Sequence, residues 1–412
     1  MTTTDTRTVG LPGIDLAGCP ATVRPDVLRL AGNDLFAGVT RPGQMVDLIH
    51  HRARWHQCPR HTLLELAGAA RAADLRGAGG AGFPTHRKLE SMSGRRVSTV
   101  IINGSEGEST SAKDGMLLAH VPHLVMDGAS AVARATDCKR IVIRLSHDRP
   151  EVTAAVTRAA AQRDDRGISW SVQPVADRFI AGEASAVIQR VAKSPALPRD
   201  LGKPPRDPRT RVRRSHVFLS NVETFARLAL ASRGHRMSTA LVTTSGAVER
   251  PGVYEVPDTW TMAELARATA VSGDPRILIT GGWHGTWIPW HEVHQVPLQR
   301  EALEGVEARW GAGAFVWLPD TIRPQRALAG ITSWLAAQSA GQCGPCVAGL
   351  PVLAEAVSRE SLITHEFSDV EGRGLCSHPT ATVAAVRSAL AAIHRIDHPS
   401  SPPESWRNQG AL

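Results

Sequence analysis

Cys343-Gly-Pro-Cys346 places two thiols two residues apart, and Cys376 follows further along the same segment. Two thiolates at that spacing can reach one metal centre, and a third from a later turn can close it. Far upstream, Gly77, Gly79 and Gly82 in Arg76-Gly-Ala-Gly-Gly-Ala-Gly-Phe83 satisfy G-x-G-x-x-G. Such a run of small residues lets backbone N–H groups close around an anion. Lys88 lies just beyond and can add a positive charge. A dinucleotide fingerprint needs a strand before the glycines and a helix after them. Here the patterning gives a helix before and a strand after, so an anion nest and a tight helix-to-strand turn both stay open. A third segment, Asn103-Gly-Ser-Glu106-Gly-Glu108, follows an apolar run. Strand ends in open α/β sheets are where ligands sit. Its amide and two carboxylates suit hydroxyls and ring nitrogens, and a solvated acidic loop is the competing reading. Together the three segments point to redox chemistry, with a flavin in one part and an iron–sulfur cluster in another.

Apolar periodicity supplies the elements that must position these groups. Residues 62–74 put Leu63, Leu64, Leu66, Ala67 and Ala70 at helical spacing. The glycine loop ends that helix. Residues 98–102, 139–145 and 168–172 read as buried strands. Residues 123–136 and 150–162 read as helices between them. Another helix opens after Gly182, and a strand over 217–219 runs into a helix over 221–231. This alternation predicts a mostly parallel sheet with helices on its faces. Near residue 238 the character changes to strand, turn and strand over 241–257, with Pro251-Gly252 supplying the turn. A helix over 262–269 and strands around 277–280 and 287–289 follow. No element is expected over 290–320. From 321 to about 395 the pattern is helical, with the cysteines in the connections, which predicts a bundle.

Composition bounds the partners. The chain has 412 residues, which implies more than one domain. Its formal charge of +8 favours an acidic partner. The densest basic run, Arg206, Arg209, Arg211, Arg213 and Arg214, has no interleaved aromatic residues. It lacks the stacking groups of a single-strand binder, so no nucleic acid is expected. No apolar run nears the roughly eighteen residues of a membrane span. The first residues lack the apolar core of a secretory signal, so a cytoplasmic protein is expected. Cys19, Cys58 and Cys138 are isolated and read as buried apolar residues.

Seven segments in order resemble the flavin-bearing subunit of respiratory NADH:quinone oxidoreductase (complex I) and of related NAD-linked hydrogenases. They are Leu75-Arg-Gly-Ala-Gly-Gly-Ala-Gly-Phe-Pro-Thr85, Asn103-Gly-Ser-Glu-Gly-Glu108, Phe179-Ile-Ala-Gly-Glu183, Ser220-Asn-Val-Glu-Thr224, Gly246-Ala-Val-Glu-Arg-Pro-Gly-Val-Tyr-Glu-Val-Pro257, Cys343-Gly-Pro-Cys346 and Leu375-Cys376. The Thr85-His-Arg-Lys-Leu89 segment also resembles a subunit of Rnf-type ferredoxin:NAD oxidoreductases.

The resemblance implies an α/β FMN-binding domain, Rossmann-like with a mostly parallel sheet, over 41–237. A small α+β, β-grasp-like, soluble-ligand-binding module is implied over 238–320. A helical iron–sulfur domain is implied over 321–398. An extended lead-in over 1–40 and a tail over 399–412 complete the chain. Carried over residue by residue, the FMN site would comprise Gly77, Gly79, Gly80, Lys88, Asn103, Glu106, Gly182, Glu183, Asn221 and Thr224. Phe83 and Lys203 would line the nicotinamide-nucleotide pocket, with Glu108 as its catalytic carboxylate. Cys343, Cys346 and Cys376 would hold the cluster. The implied function is electron transfer from NAD(P)H through FMN to that cluster. The implied acceptor is a ferredoxin-like or thioredoxin-like acidic 2Fe–2S protein, within a redox complex that partner subunits could bind to a membrane.

The chain departs from the family at several of these positions. Ala340 replaces the first cysteine of Cys-x-x-Cys-x-x-Cys, so three cysteines remain for a cubane that needs four corners held. A 4Fe–4S or 3Fe–4S cluster, zinc on the three cysteines and His378, and loss of the centre all stay open. Two aromatic positions of the nucleotide pocket are Ser91 and Arg206, and a second glutamate is Ala184. The glycine-loop arginine is Ala78, and the aspartate before Glu106 is Ser105. Arg206 could pair with a 2′-phosphate and favour NADPH. These losses also raise an alternative: a relay subunit that keeps the fold but has a degraded NADH site.

Overall fold

A computed structural model describes residues 27–398, apart from 42, 148, 176–178, 192–196, 199–210, 213–214 and 362–363. The described chain divides into two compact units. One runs to Val242 and includes Val253–Asp258; the other contains Thr243–Gly252 and the residues from Thr259 on.

In the first unit, β1 (Leu28–Leu30), α1 (Leu48–Trp55), α2 (Leu63–Ala72) and a short α3 (Thr85–Glu90) precede β2 (Val97–Gly104). Then come α4 (Lys113–His120), α5 (Pro122–Ala135), β3 (Arg140–Ser146), α6 (Pro150–Gln162) and β4 (Ser169–Val175). A 3-10 turn, Phe179–Gly182, leads to α7 (Ala184–Val191). Next are β5 (Arg211–Val212), β6 (Ser215–Asn221) and α8 (Val222–Ala231). The sheet order is β4-β3-β2-β6-β5, and only β5 pairs antiparallel. Its centre is apolar on both faces: Val100, Ile101, Ile102, Ile141, Val142 and Ile143 are fully buried. That is the pattern of parallel strands covered by helices on both sides. Val187 and Val191 of α7 pack on the Ile101–Val142–Val217 face.

The glycine loop leads first into α3 and only then into β2, which corrects the expected direct passage to a strand. Thr62 caps α2 through a reciprocal capping box with Glu65, and that fixes where the helix enters. At the carboxyl end of the sheet Asn221, Asn103, Arg144 and Gln173 are register partners on β6, β2, β3 and β4. One polar row therefore crosses four strands.

Strand β7 (Thr239–Gly246) is followed by β8 (Gly252–Pro257), whose Val253–Glu255 pair parallel with β1. The N–H groups of Asp34, Leu35 and Phe36 donate to the Glu255 carboxylate at 2.9, 2.7 and 3.1 Å. Residues 28–36, inside the expected lead-in, are thus tied to β8.

The second unit holds α9 (Met262–Thr269), β9 (Ile277–Thr280), β10 (Thr286–Pro289), α10 (Trp290–Val293), α11 (Arg300–Gly305) and β11 (Ala314–Leu318). Its helices continue as α12 (Pro324–Ala337), α13 (Leu350–Ser358), α14 (Thr364–Val370) and α15 (His378–Asp397), with a π turn at Pro345–Gly349. Strand β11 falls in the stretch without an expected element. It pairs parallel with Thr243–Gly246 and antiparallel with β9, so it is central to this unit's sheet. Among the described residues no single helix is long and apolar enough to cross a membrane. The pair α4–α5 reaches that length only together, and it bends by 95°.

Candidate cofactor site and cysteine cluster

The glycine loop is a closed structure with its base pinned. Gly77 N–H donates to Phe83 O at 2.9 Å, and Thr85 N–H donates to Leu75 O at 2.8 Å. Gly80 and Gly82 have φ of 102° and 62°, a left-handed backbone that glycine adopts without a Cβ penalty. The loop meets the start of α8: Ala78 N–H donates to Thr224 Oγ1 at 3.0 Å. A Cβ on Gly79 would stand 3.5 Å from Asn221 Cβ. Asn221 caps α8 by accepting from Glu223 N–H at 2.9 Å. Gly77, Gly79, Asn221 and Thr224 thus come together around a helix N-terminus, where the helix dipole favours an anion. Lys88, on α3, reaches β6 two residues before Asn221. Its ammonium donates to Leu219 O at 2.8 Å and faces no carboxylate among the described residues. Burial lowers its pKa to about 8. A sheltered cation with no counter-ion among the described residues suits a phosphate group, so these residues fit FMN.

The strand-end segment behaves differently from the free acidic loop of the sequence reading. Asn103 Nδ2 donates to Gly182 O at 2.9 Å, joining β2 to the turn before α7. A Cβ on Gly182 would lie 3.0 Å from Ser105 O, so only glycine sits easily there. Both oxygens of Glu106 are engaged by the chain. They accept from Ser111 Oγ (2.6 Å), Asp114 N–H and Gly115 N–H (both 3.1 Å) and Arg149 Nη1 (3.0 Å). Glu183 accepts from Ser185 Oγ and Ala186 N–H at 2.5 and 2.9 Å, which caps α7. Glu108 accepts from Thr110 Oγ1 at 3.0 Å. Phe83 is exposed. Ser91 donates to Lys88 O at 2.8 Å. Lys203 and Arg206 lie outside the described residues.

Sequence reasoning missed the charges beneath this site. Lys113 is fully buried and pairs with Asp114 at 2.9 Å and Glu223 at 3.0 Å. Arg227 pairs with Glu223 at 2.7 Å. Asp114 also accepts from Asn221 Nδ2, which ties the network to the cap of α8. Burial holds the Asp114 pKa up, to about 6, with Glu106 and Glu223 adding to the rise against Lys113. The pKa of Lys113 rises because Asp114 and Glu223 outweigh its burial. In sequence, Lys113-Asp114-Gly115 carries no motif that marks it as buried. The one available signal is the apolar Met116-Leu117-Leu118 that follows it. Arg144 is likewise fully buried. Its Nη1 donates to Val187 O at 3.0 Å, and its Nε and Nη2 have no hydrogen-bond partner among the described residues.

The other unit carries the three late cysteines. Cys346 sits in the π turn, and its N–H donates to Cys343 O at 3.1 Å. Its thiol is pushed up to about 12, first by burial and then by Cys343, with Cys376 close enough to add to the rise. Among the described residues no three His, Cys, Asp or Glu side chains meet tightly enough to hold one metal ion. His378 Nε2 is engaged with Leu335 O at 3.0 Å. Both points weigh against the zinc reading.

Residues 70–230, which contain the glycine loop, the strand end and the start of α8, match the family model described as the Nuo51 FMN-binding domain. The chain is 25% identical over 367 residues to a component of the NADH-quinone oxidoreductase of Salmonella typhimurium, covering 79% of this chain and 82% of that protein. It is 28% identical over 210 residues to a component of the ion-translocating oxidoreductase complex of Pseudomonas aeruginosa, covering 48% of this chain and 25% of that one. In fold it resembles a chain of the air-oxidized NAD+-reducing [NiFe]-hydrogenase, with a TM-score of 0.75 at 23% identity, covering 90% of this chain and 67% of that one. For the H2-reduced form the TM-score is 0.70 at 23% identity, covering 82% of this chain and 63% of that one. Over residues 70–230 the chain thus matches the FMN-binding domain of the 51 kDa-type subunits, and its similarity to a component of NADH-quinone oxidoreductase runs through 79% of its length.

Proposed function

We propose that the protein binds FMN at the glycine loop and acts as an electron-transfer oxidoreductase between NAD(P)H and an acidic ferredoxin-like partner. The observation that carries this reading is the glycine loop bonded to the start of α8, with Lys88 donating to the strand that leads into that helix and no carboxylate among the described residues to neutralise it. Gly77, Gly79, Gly80, Asn221 and Thr224 would hold the phosphate end. Asn103, Gly182 and the backbone around Glu183 would border the ring. Bound flavin would accept two electrons as hydride and release them singly, which is what links a nicotinamide to an iron–sulfur centre. Glu106 serves the site by fixing the loop after β2. Phe83, Glu108 and Lys203 would form the nucleotide pocket. Cys343, Cys346 and Cys376 would hold a 4Fe–4S or 3Fe–4S cluster. The relatives' names support a place in a redox complex with partner subunits.

One observation favours the relay reading over full NADH dehydrogenase activity. Glu183 is engaged in capping α7, and the next position is Ala184, so the loop offers the nucleotide no free carboxylate there. Steady-state oxidation of NADH and NADPH with an artificial acceptor separates the two readings. Turnover with flavin reduction supports the enzyme. A flavin-loaded protein that neither nucleotide reduces supports the relay. A gain with NADPH alone would implicate Arg206.

A further inference from the structure

We infer that Asp114 is a positioning residue for the candidate FMN site: it fixes the Asn221 carboxamide in one orientation and couples that orientation to the charge balance under the sheet. The inference deepens the FMN reading and rests on it only for its ligand. The Asn221 amide is held at both ends. Its oxygen accepts the Glu223 N–H at 2.9 Å and caps α8. Its nitrogen donates to Asp114 Oδ2. An amide turned over would aim its NH2 group at the Glu223 N–H and lose the cap. The ionised Asp114 oxygen therefore selects the orientation, and the amide side chain stands against Gly79 in the loop.

Asp114 does not stand alone. The charges around it are Lys113 on its own helix, Glu106 in the loop after β2, Arg149 at the start of α6, and Glu223 with Arg227 on α8. Three cations face three carboxylates largely out of water. Each is paired, so adding one proton unbalances the set. Asp114 is the member that takes it, because its folded pKa of about 6 lies above its ordinary value while those of Glu106 and Glu223 lie below theirs. Protonation weakens the hold on Asn221 Nδ2 and loosens the cap next to the loop.

The sequence makes a direct test practical, because it contains four asparagines: Asn33, Asn103, Asn221 and Asn408. Selective 15N-asparagine labelling yields four side-chain amide pairs, and Asn221→Ala assigns the relevant one. The Asn221 amide is expected to shift with an apparent midpoint near pH 6, and Asp114→Asn is expected to abolish that shift. An Asn221 amide that ignores pH between 5 and 8 in the folded protein overturns the inference, whether or not FMN binds.

A second arm uses FMN fluorescence quenching in wild type, Asp114→Asn, Asn221→Ala and the double variant. Asp114→Asn is expected to weaken FMN by about tenfold, with no further loss in the Asn221→Ala background. Fully additive losses overturn the inference and leave the FMN reading intact. Absence of FMN binding in wild type contradicts the FMN reading, and the amide titration still decides the role of Asp114.

Discussion

Lys88 is the cation on which the proposed phosphate site depends. With a folded pKa of about 8 against an ordinary value of 10.5, it binds fewer protons folded than unfolded between those values. Stability without ligand should therefore rise with pH across that window, and Lys88→Met should remove this increment. Chemical denaturation at pH 7, 8.5 and 10 measures it as the difference between the two proteins. The same substitution should weaken FMN by about tenfold or more, and wild-type affinity should fall as pH rises past the lysine's titration. Equal FMN affinity in Lys88→Met would remove the lysine from the site. The sequence made Lys88 legible, because a cation after a glycine run has an obvious use. It did not make Lys113 and Asp114 legible. Adjacent opposite charges beside a glycine are usually solvated, and only the tertiary fold shows them buried between α8 and the loop after β2. Glu106 and Glu183 were legible as chemically important residues. That their oxygens are taken by backbone N–H groups and neighbouring side chains was not.

At the scale of elements, α5 and α8 position the loop's floor, and their contact depends on one glycine. A Cβ on Gly128 would lie 2.0 Å from Phe225 O. Gly128→Ala should push the helices apart, cost roughly 1–3 kcal/mol or more, and loosen the cap at Asn221. Thermal melts with and without FMN check both effects. The other side of α5 is held by Asp127, which is buried against His51 (2.9 Å), Arg163 (2.7 Å) and Arg233. Burial opposes its charge, yet the His51 bond and the charges of Arg163 and Arg233 hold its pKa well below the usual carboxylate range. That stability is present above the ordinary carboxylate value and is lost as pH falls below it. Asp127→Ala should cost about 3 kcal/mol at neutral pH, since it takes the carboxylate from the buried Arg233 and leaves Arg163 with Asp165 alone. Denaturant midpoints at pH 7 and pH 3 should show a smaller wild-type-to-variant gap at the lower pH. Most elements were legible from periodicity: the helix over 150–162 stands where its apolar spacing put it. Strand β11 carries the apolar run Ala314–Leu318, but five residues give no period to separate a strand from a short buried helix. Short α3 was hidden by the loop that introduces it.

At the scale of the whole molecule, the charge of +8 predicts how the protein meets its partner. Electron transfer to an acidic ferredoxin-like acceptor should slow as ionic strength rises, because steering is screened beyond roughly 10 Å at 0.1 M salt. Stopped-flow rates across a salt series check this, and salt-independent rates would argue against charge-guided docking. The order of motifs made the family resemblance legible. Whether three cysteines suffice for a cluster was not, because Ala340 removes a ligand that sequence cannot replace. Anaerobic reconstitution followed by iron analysis decides that point for Cys343, Cys346 and Cys376, with Cys346→Ala expected to lose the metal. The sharpest test of a flavin site at the glycine loop is FMN binding to the full chain with Thr224 and Gly79 varied. Wild type should bind one FMN with quenched fluorescence, and Thr224→Val and Gly79→Val should each weaken it at least about tenfold while the fold persists. A folded wild-type protein that takes up no FMN, or variants that bind it as tightly as wild type, would contradict a flavin site there.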